Sequence, residues 1–268
     1  MENIKTQSEA LIDDGQRRKF KNLRIFNLVM FFFHAVQGVL MLILSSDFAL
    51  PVTSSFVEMN QATSKLAPVL KTEFTLEIGP LVAGFLFLSA LAHLLVSTVF
   101  YKWYVRNLKK GINPARWIEY SFSASLMIVV ISMLVGIYDG VALILIFFLN
   151  VMMILFGWVM EVHNQTTKKT NWLSYIFGCL AGAIPWIAIA IYLFSAGEGD
   201  NKAPTFVYWI FFSIFIFFNI FAINMILQYK KTGKWRDYLF GEKVYIILSL
   251  VAKTLLAWQV FAGTLRPV

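Results

Sequence analysis

The stretch Ser249-Leu250-Val251-Ala252-Lys253-Thr254-Leu255-Leu256-Ala257-Trp258 decides the fold, because it sets one lysine in the middle of an apolar run. The run covers residues 241–264, and about 20 apolar residues are enough to cross a bilayer as a helix. Lys253 lies about 12 residues into it, or roughly 18 Å from its start at 1.5 Å per residue. An unpaired cation at such a depth costs at least about 2.5 kcal/mol, so this lysine is a candidate functional residue.

Six more apolar runs of similar length precede this one. The seven predicted spans are 22–46, 78–101, 114–136, 140–162, 172–195, 204–229 and 241–264. Charged residues make up only 14% of the 268 residues, whereas a soluble domain carries about 25%. We therefore predict an all-α membrane protein, a bundle of seven transmembrane helices. Asn113 followed by Pro114 predicts the start of the third span, as an N-cap and a first helical residue.

Lys and Arg residues predict the orientation of the bundle, since they concentrate in cytoplasmic loops. Eighteen of the 23 lie on the side that carries the N-terminus, and four (Lys65, Lys71, Lys202 and Arg266) lie on the other. Lys253 is the remaining one. We predict a multi-pass protein of the cell membrane, with a cytoplasmic N-terminus and an extracellular C-terminus. The net charge of +8 follows this loop pattern, so we expect no nucleic-acid partner.

The chain divides into one membrane domain with short ends. We predict a cytoplasmic tail over 1–21, the seven-helix domain over 22–264, and an extracellular end over 265–268. The loop over 47–77 is long enough to suggest a functional element. Within it, 52–57 and 73–78 have the composition of short strands that form a β-hairpin, although a plain loop fits the pattern nearly as well.

Few acidic residues are available to pair with Lys253 inside the membrane. We predict that only Glu119 of the 15 acidic residues lies clearly inside a span, with Glu161 at a span end and the others in loops or the tail. Helical side chains lean toward the N-terminus of their helix, which brings Lys253 toward the depth of Glu119. This pair fits a structural ion pair, and it also fits a lysine that binds an aldehyde cofactor with Glu119 as its counterion.

Other polar residues fall at similar depths and share helix faces in pairs. They are Ser249 with Lys253, Ser89 with His93, His34 with Gln37, and Glu119 with Ser123. Each alone fits an ordinary hydrogen bond between helices. Their convergence in one half of the bundle predicts a polar, hydrated cavity. His34, His93 and His163 share no short ligand spacing, so we expect no metal site.

Several motifs together resemble one branch of the microbial rhodopsins, the heliorhodopsins. They are Ser89-Ala90-Leu91-Ala92-His93, Arg116-Trp117-Ile118-Glu119-Tyr120-Ser121, Phe156-Gly157-Trp158, Phe177-Gly178-Cys179, Pro185-Trp186, Gly233-Lys234-Trp235 and the stretch from Ser249 to Gln259. The inverted orientation and the lysine in the last span agree with this branch. The similarity covers the second to seventh spans, with a weaker match at His34 and Gln37.

The resemblance implies a function and roles for individual residues. Lys253 would bear all-trans retinal as a protonated Schiff base, with Glu119 as its main counterion and Ser249 and Ser123 close by. His34, His93, Ser89 and Gln37 would form a hydrated proton network. Asn150, Met153, Tyr175 and Phe218 would line the retinal pocket, although Tyr175 departs from the tryptophan of some relatives. The family also implies a homodimer.

These expectations predict a slow light sensor rather than an enzyme. Many rhodopsin pumps resemble one another in a carboxylate four residues before the lysine, where this chain has Ser249, and proton pumps in an acid eleven residues after the counterion, where it has Val130. We therefore predict no net ion pumping, and a signal passed to an unidentified cytoplasmic partner, with the basic loop after the sixth span as the docking surface. Two alternatives stay open: a light-driven or light-gated proton transporter or channel, and an intramembrane enzyme or a light-regulated subunit of one, which the lack of a metal-ligand set disfavours.

Overall fold

A computed structural model describes residues 2–60, 64–195 and 202–265, with side chains described from Asp14 onward. Within these residues the chain forms eight α-helices and one two-stranded sheet. In chain order they are α1 (Glu2–Leu44), β1 (Ala49–Asn60), β2 (Lys65–Glu77), α2 (Ile78–Ser97), α3 (Tyr101–Lys109), α4 (Pro114–Leu134), α5 (Gly140–His163), α6 (Leu173–Ser195), α7 (Thr205–Tyr229) and α8 (Tyr238–Val260). A 3₁₀ turn (Gly233–Arg236) precedes α8, and a π turn (Phe261–Leu265) follows it.

Seven of these helices are long and apolar enough to cross a membrane, namely all except α3. This confirms the predicted number of spans. They pack in a ring: α1 contacts α2, α2 contacts α4, α4 contacts α5, α5 contacts α6, α7 contacts α8, and α8 returns to α1. We call the end at which α1 begins the N-terminal side of the bundle, and the end that carries β1 and β2 the hairpin side.

Local sequence signals set three helix starts. The Asn113 side chain accepts a hydrogen bond from the backbone N–H of Arg116 (3.2 Å) with Pro114 in the first turn, which confirms the predicted start of α4. Asp139 caps α5 in the same way, through the N–H of Ala142 (2.8 Å). Asp237 caps α8 through the N–H of Leu239 (3.1 Å). An N-cap of this kind stabilises a helix by about 1 kcal/mol.

Several predicted boundaries differ from the structure. The helix α1 begins at Glu2 rather than at residue 22, so the predicted tail 1–21 is helical where it is described. The second span ends at Ser97, and a separate helix, α3, follows it. This short helix was not predicted, because its apolar face carries only the buried Tyr104 and Leu108 among basic residues. Of the predicted end 265–268, Leu265 closes the π turn after α8, and 266–268 lie outside the described residues.

The long loop contains the β-hairpin that its composition indicated, and its strands are longer than predicted. β1 and β2 pair antiparallel, with Val52 opposite Phe74 and an irregularity between Val52 and Thr53. The hairpin is attached to the bundle at its base: the N–H of Thr53 donates to the carbonyl of Tyr138 (2.8 Å), and Val52 is buried in the core. The hairpin therefore lies over the turn between α4 and α5.

The core on the hairpin side is apolar. Its fully buried members come from α2, α4, α6, α7 and α8 and include Phe85, Ile128, Val130, Ile189, Ile214, Leu256 and Val260. Polar side chains are instead concentrated in the N-terminal half, where Asn27, His34, Ser89, Asn113, Arg116, Glu161, Glu242 and Lys253 are all buried. This asymmetry places the polar chemistry between the middle of the bundle and its N-terminal side.

Candidate functional site

Lys253 and Glu119 meet in the interior of the bundle. The Lys253 Nζ donates to Glu119 Oε1 at 2.7 Å, and the two side chains are 3% and 9% exposed. The contact joins the middle of α8 to the second turn of α4, as the lean of the lysine predicted. Burial of both charges is costly unless they are paired and hydrogen-bonded, and here each has a charged partner.

Three serine side chains surround this ion pair. Lys253 Nζ also donates to Ser249 Oγ at 2.9 Å, one turn earlier on α8. Ser89 on α2 donates to Glu119 Oε1 at 2.6 Å. Ser123 lies one turn after Glu119 and is fully buried, and its Oγ makes no hydrogen bond of normal geometry with a described residue. The structure therefore brings these three predicted serines to the Lys253–Glu119 pair.

Two histidines stack beside the pair. The rings of His34 and His93 lie 5.5 Å apart and are nearly parallel, at 11°. His93 Nδ1 is 2.7 Å from Oδ1 of Asn27, a buried residue that sequence analysis missed. Asn27 lies seven residues before His34 on α1, two turns along one face, and this spacing was the available signal. Both ring nitrogens of His34 are buried without a hydrogen-bond partner among the described residues.

Gln37 does not belong to this histidine cluster, contrary to the prediction. Its Oε1 accepts from Nε1 of Trp258 at 3.2 Å, and its Nε2 donates to the carbonyl of Phe33. Trp258 lies five residues beyond Lys253 toward the hairpin side. The three-residue spacing from His34 puts Gln37 almost one turn farther along α1, where the nearest polar partner is the indole.

A large apolar cavity adjoins Lys253. It has a volume of about 300 Å³, within the usual range for a small-molecule site. Its lining comes from α4 to α8 and includes Trp117, Tyr120, Met127, Met153, Gly157, Tyr175, Cys179, Gly182, Trp186, Phe215, Phe218, Asn219 and Lys253. Cys179 on α6 and Asn219 on α7 are exposed, so the cavity opens between these two helices toward the lipid-facing surface.

Three of the four residues predicted to line the retinal pocket line this cavity. They are Met153, Tyr175 and Phe218. The fourth, Asn150, is not among its lining residues. Its Nδ2 donates to Ser125 Oγ at 3.0 Å and it is 1% exposed. An amide buried among apolar side chains needs such a partner, and Ser125 on α4 holds it away from the cavity.

The lining of the cavity suits an apolar aldehyde by its chemistry. A β-carbon on Gly157 would lie 2.5 Å from the Trp117 ring, and one on Gly182 would overlap Met153. Gly157 therefore lets α5 approach the Trp117 ring on α4, and Gly182 lets α6 approach Met153 on α5. Lys253 supplies a primary amine at the wall of a pocket that is otherwise mostly aromatic and aliphatic. The residues present thus suit a retinal linked to Lys253.

A second cluster of charges lies buried nearer the N-terminal side, and the sequence interpretation of it was wrong. Arg116 forms ion pairs with Glu161 on α5 (2.5 Å) and with Glu242 on α8. All three side chains are at most 4% exposed. Arg116 had been counted as a loop charge, and Glu119 as the one acid clearly inside a span. Because these residues stand at the ends of apolar runs, their charges were assigned to the surface.

Removal of the cluster's only guanidinium should be strongly destabilising. We expect Arg116→Met to lower the free energy of unfolding by about 3–5 kcal/mol, because it leaves two buried carboxylates without a counter-charge. Chemical unfolding in detergent micelles measures this change. Arg106→Met, on the exposed face of α3, is the matched control and should be nearly neutral. Adding Glu161→Gln and Glu242→Gln to Arg116→Met should recover part of the loss, and equal stability of Arg116→Met and the control would contradict the argument.

Within the described residues, no group of three or more His, Cys, Asp or Glu side chains is placed to hold a metal ion. His34 and His93 are adjacent, but their nearest acid, Glu119, is bonded to Lys253 and Ser89. The polar groups around Lys253 therefore serve the Lys253–Glu119 ion pair and its hydrogen bonds to Ser89 and Ser249.

Solved structures share this fold. The chain is similar to cyanorhodopsin from the cyanobacterium Tolypothrix sp. NIES-4075 (12% identity, 90% of this chain and 94% of that chain, TM-score 0.61). It is also similar to a light-driven proton pump from Leptosphaeria maculans (14% identity, 88% and 93%, TM-score 0.60). A third is the transmembrane domain and linker of a rhodopsin phosphodiesterase from Salpingoeca rosetta (12% identity, 93% and 74%, TM-score 0.61). At these identities the likeness establishes the seven-helix rhodopsin fold.

The family is established by sequence. A comparison with curated proteins gave no significant match. The sequence model of the heliorhodopsins, in contrast, matches residues 23–265, which is nearly the whole bundle and includes Lys253, Glu119 and the hairpin. The chain is therefore a multi-pass membrane protein of the retinal photoreceptor type, and it belongs to the heliorhodopsin family.

Proposed function

We propose that the protein is a light sensor that carries all-trans retinal on Lys253 as a protonated Schiff base. The observation that carries this proposal is the position of the Lys253 amine, which is buried, paired at 2.7 Å with Glu119, and part of the wall of an apolar cavity of about 300 Å³. When bound, retinal supplies visible absorption and a light-driven isomerisation. The protein supplies the shape of the pocket and the electrostatics at Nζ.

Glu119 stabilises the positive charge at Nζ, since an opposite charge within about 4 Å favours the charged form of a group. Ser249 accepts a second hydrogen bond from the same nitrogen, and Ser89 donates to Glu119. A displacement of Nζ relative to Glu119 removes this stabilisation and favours release of the proton. His93 and His34 then lie beside the carboxylate as a polar region in which a proton can be held.

The orientation is part of the proposal. The side at which α1 begins carries most of the Lys and Arg residues, and this distribution favours a cytoplasmic N-terminus. Because Arg116 is buried, it no longer counts among the loop charges, but the excess of Lys and Arg on the N-terminal side stays large. The C-terminus then lies outside, together with the hairpin. In this orientation the polar half of the bundle faces the cytoplasm, where we propose that the basic segment Lys230–Arg236 docks a signalling partner.

Net pumping needs a polar route on both sides of Lys253. On the hairpin side, α4 presents Val130, Ile131 and Met133, and α8 presents Leu256 and Val260, all fully buried. Val130 holds the position where proton pumps carry an acid. We therefore propose that a proton released at Nζ stays on the N-terminal side of the chromophore, without net transport and without enzymatic chemistry.

Proton transport is the second candidate, and a specific observation favours it. The structure contains two further buried acids, Glu161 and Glu242, which sequence analysis had placed at a span end and in a loop. Illumination of cells that express the protein, with a pH electrode in the medium, distinguishes the two functions. A light-induced pH change that a protonophore abolishes would establish transport and reject the sensor without net pumping.

The first test of the proposed function is pigment formation. Purified protein mixed with all-trans retinal should develop a visible absorption band as the amine of Lys253 and the aldehyde condense. A protein that stays colourless under these conditions would contradict the proposal. All-cis or single-cis isomers, added in parallel, determine which isomer the cavity accepts.

We propose a homodimer, as the family implies. The lipid-facing surfaces of α5 and α6 are candidates for the interface. The structure adds the hairpin, where Phe56, Val57, Leu66, Leu70 and Phe74 are all at least 40% exposed. Apolar side chains gathered on an extramembrane sheet favour an interface with another chain, and the partner proposed here is a second copy.

A further inference from the structure

A smaller cavity connects the Lys253–Glu119 pair with the buried charged cluster. Its volume is about 40 Å³, which is room for a few water molecules, since one needs about 10–15 Å³. Glu119 and Ser249 contribute to its lining, and so do Asn113, Arg116 and Glu242. Both charged groups therefore border one polar space on the N-terminal side of Lys253.

The helix α8 presents a polar stripe along this route. Glu242, Tyr245, Ser249 and Lys253 follow one another at spacings of three or four residues, so they share a face, and all are buried. Glu242 and Lys253 are about 16 Å apart along the helix axis at 1.5 Å per residue. The Tyr245 hydroxyl, between them, is buried without a hydrogen-bond partner among the described residues. Tyr245 and Ser249 also line the small cavity, so this stripe forms one wall of the route.

The two carboxylates of the cluster differ in their hydrogen bonding. Glu161 accepts from four donors: Arg116 Nη2 (2.5 Å), Trp117 Nε1 (2.6 Å), the Asn113 N–H (2.9 Å) and the Tyr238 hydroxyl (3.2 Å). A carboxylate has about four acceptor sites, so these donors saturate Glu161. Glu161 is also not among the lining residues of the small cavity. Glu161 is therefore the more completely hydrogen-bonded partner of Arg116.

Glu242 is less completely bonded and faces the cavity. It accepts from Arg116 Nη1, from Asn113 Nδ2 (2.6 Å) and, at the limit of hydrogen-bond distance, from Gln228 Nε2 (3.4 Å). With both acids ionised, the cluster has one negative charge in excess. A proton on Glu242 removes that excess. The titratable and charged groups that surround Glu242 are Arg116 and Tyr120 on α4, Glu161 on α5, Tyr104 on α3, Tyr229 on α7, and Tyr238 and Tyr245 on α8.

We propose that Glu242 is a second proton station, which receives through this cavity the proton released at Lys253. The N–H bond at Nζ breaks and an O–H bond forms on the Glu119 carboxylate. Glu119 then passes a proton by way of water to Glu242, so the positive charge moves from one buried pair to the other and no oxidant or reductant takes part. This inference rests on the proposed light-sensing function and extends it toward the N-terminal side.

The first experiment uses the protein without retinal. Glutamate labelled with ¹³C at the carboxyl carbon, in protein held in lipid nanodiscs, reports protonation of each acid by NMR as the pH is lowered from neutral. A buried glutamate signal should titrate in the wild type and be absent from Glu242→Gln, while Glu73→Gln, on the exposed hairpin, should retain it. Loss of the titrating signal in Glu161→Gln instead, or its persistence in Glu242→Gln, would overturn the proposal.

The second experiment uses the pigment and separates the inference from the function it rests on. Light-minus-dark infrared spectra should show the carbonyl band of a newly protonated carboxylic acid, which disappears in Glu242→Gln and remains in Glu73→Gln. Gln has the shape of Glu and can accept from Arg116, and an unchanged visible band in the dark shows that the variant is folded. A carbonyl band that persists in Glu242→Gln rejects the role of Glu242 as a proton station and leaves the proposed light-sensing function standing. A wild type without a visible band rejects the proposed function, and the NMR titration still decides the role of Glu242.

Discussion

Lys253→Ala protein mixed with all-trans retinal should remain colourless, with complete loss of the visible band that the wild type forms. The reason is chemical: Nζ of Lys253 is the amine in the wall of the large cavity, and alanine offers no group that condenses with an aldehyde. The spectrum between the near ultraviolet and the red measures the effect. Retinal held without a covalent bond would absorb near the ultraviolet, where free aldehyde absorbs.

Two controls sharpen this result. Lys253→Arg keeps a cation beside Glu119 but cannot form the imine, so it should also be colourless while it preserves the buried charge pair. Lys243→Ala removes a lysine from the same helix, ten residues earlier, and should form pigment normally. A visible band in Lys253→Ala, or its absence in Lys243→Ala with intact folding, would show that retinal is attached elsewhere or that the loss is structural.

The second large effect is expected for Glu119→Gln. The substitution removes the only charged partner that the structure shows within hydrogen-bond distance of Nζ among the described residues, at 2.7 Å. Breaking a buried ion pair by removing one partner costs about 3–5 kcal/mol. We expect the Schiff base to lose its proton at neutral pH, so that the visible band gives way to a near-ultraviolet band. Any protonated fraction should absorb to the red of the wild type, since the negative charge at the nitrogen is gone.

Acid titration followed by absorption checks this prediction. The visible band of Glu119→Gln should return as the pH is lowered, whereas the wild type keeps it throughout. Glu119→Asp retains the negative charge at a greater distance from Nζ. The pH below which its visible band forms should therefore lie between those of Glu119→Gln and the wild type. Ser249→Ala, which removes the neutral hydrogen bond to Nζ, should have a much smaller effect. A Glu119→Gln spectrum identical to that of the wild type would mean that another acid is the counterion.

The number of spans and the central pair followed from simple counting in the sequence. Lys253 was recognisable because it lies far from both ends of its apolar run, and Glu119 because few acids interrupt such runs. The hairpin could be predicted only in part, since alternating residues give strand propensity without a register. The attachment of Thr53 to Tyr138 depends on where the α4–α5 turn lies in space, which no local pattern contains.

The buried charged cluster was missed for a physical reason. Arg116, Glu161 and Glu242 each stand near the end of an apolar run, where a charge usually reaches the membrane surface. Only the packing of α4, α5 and α8 against one another closes these residues off from water. A usable signal was present, because Glu242 precedes Ser249 by two helical turns and so shares its inward face. The predictions for Asn150 and Gln37 were wrong for a different reason. Both residues lie at a suitable depth, but their side-chain amides are hydrogen-bonded to Ser125 and Trp258 instead.

The attachment of the hairpin has a mechanical consequence. At that end of the bundle, β1 is bonded to the α4–α5 turn through Thr53 and Tyr138, and the N–H of Ser46 after α1 donates to the carbonyl of Leu265 after α8 (2.7 Å). The hairpin thus holds the turn between α4 and α5, and the Ser46–Leu265 bond holds the ends of α1 and α8 together. When a helix is held at one end, a tilt displaces its free end more than its held end. We therefore expect a displacement at Lys253 to move the opposite end of the bundle, which carries Lys230, Lys231, Lys234 and Arg236, more than the hairpin side.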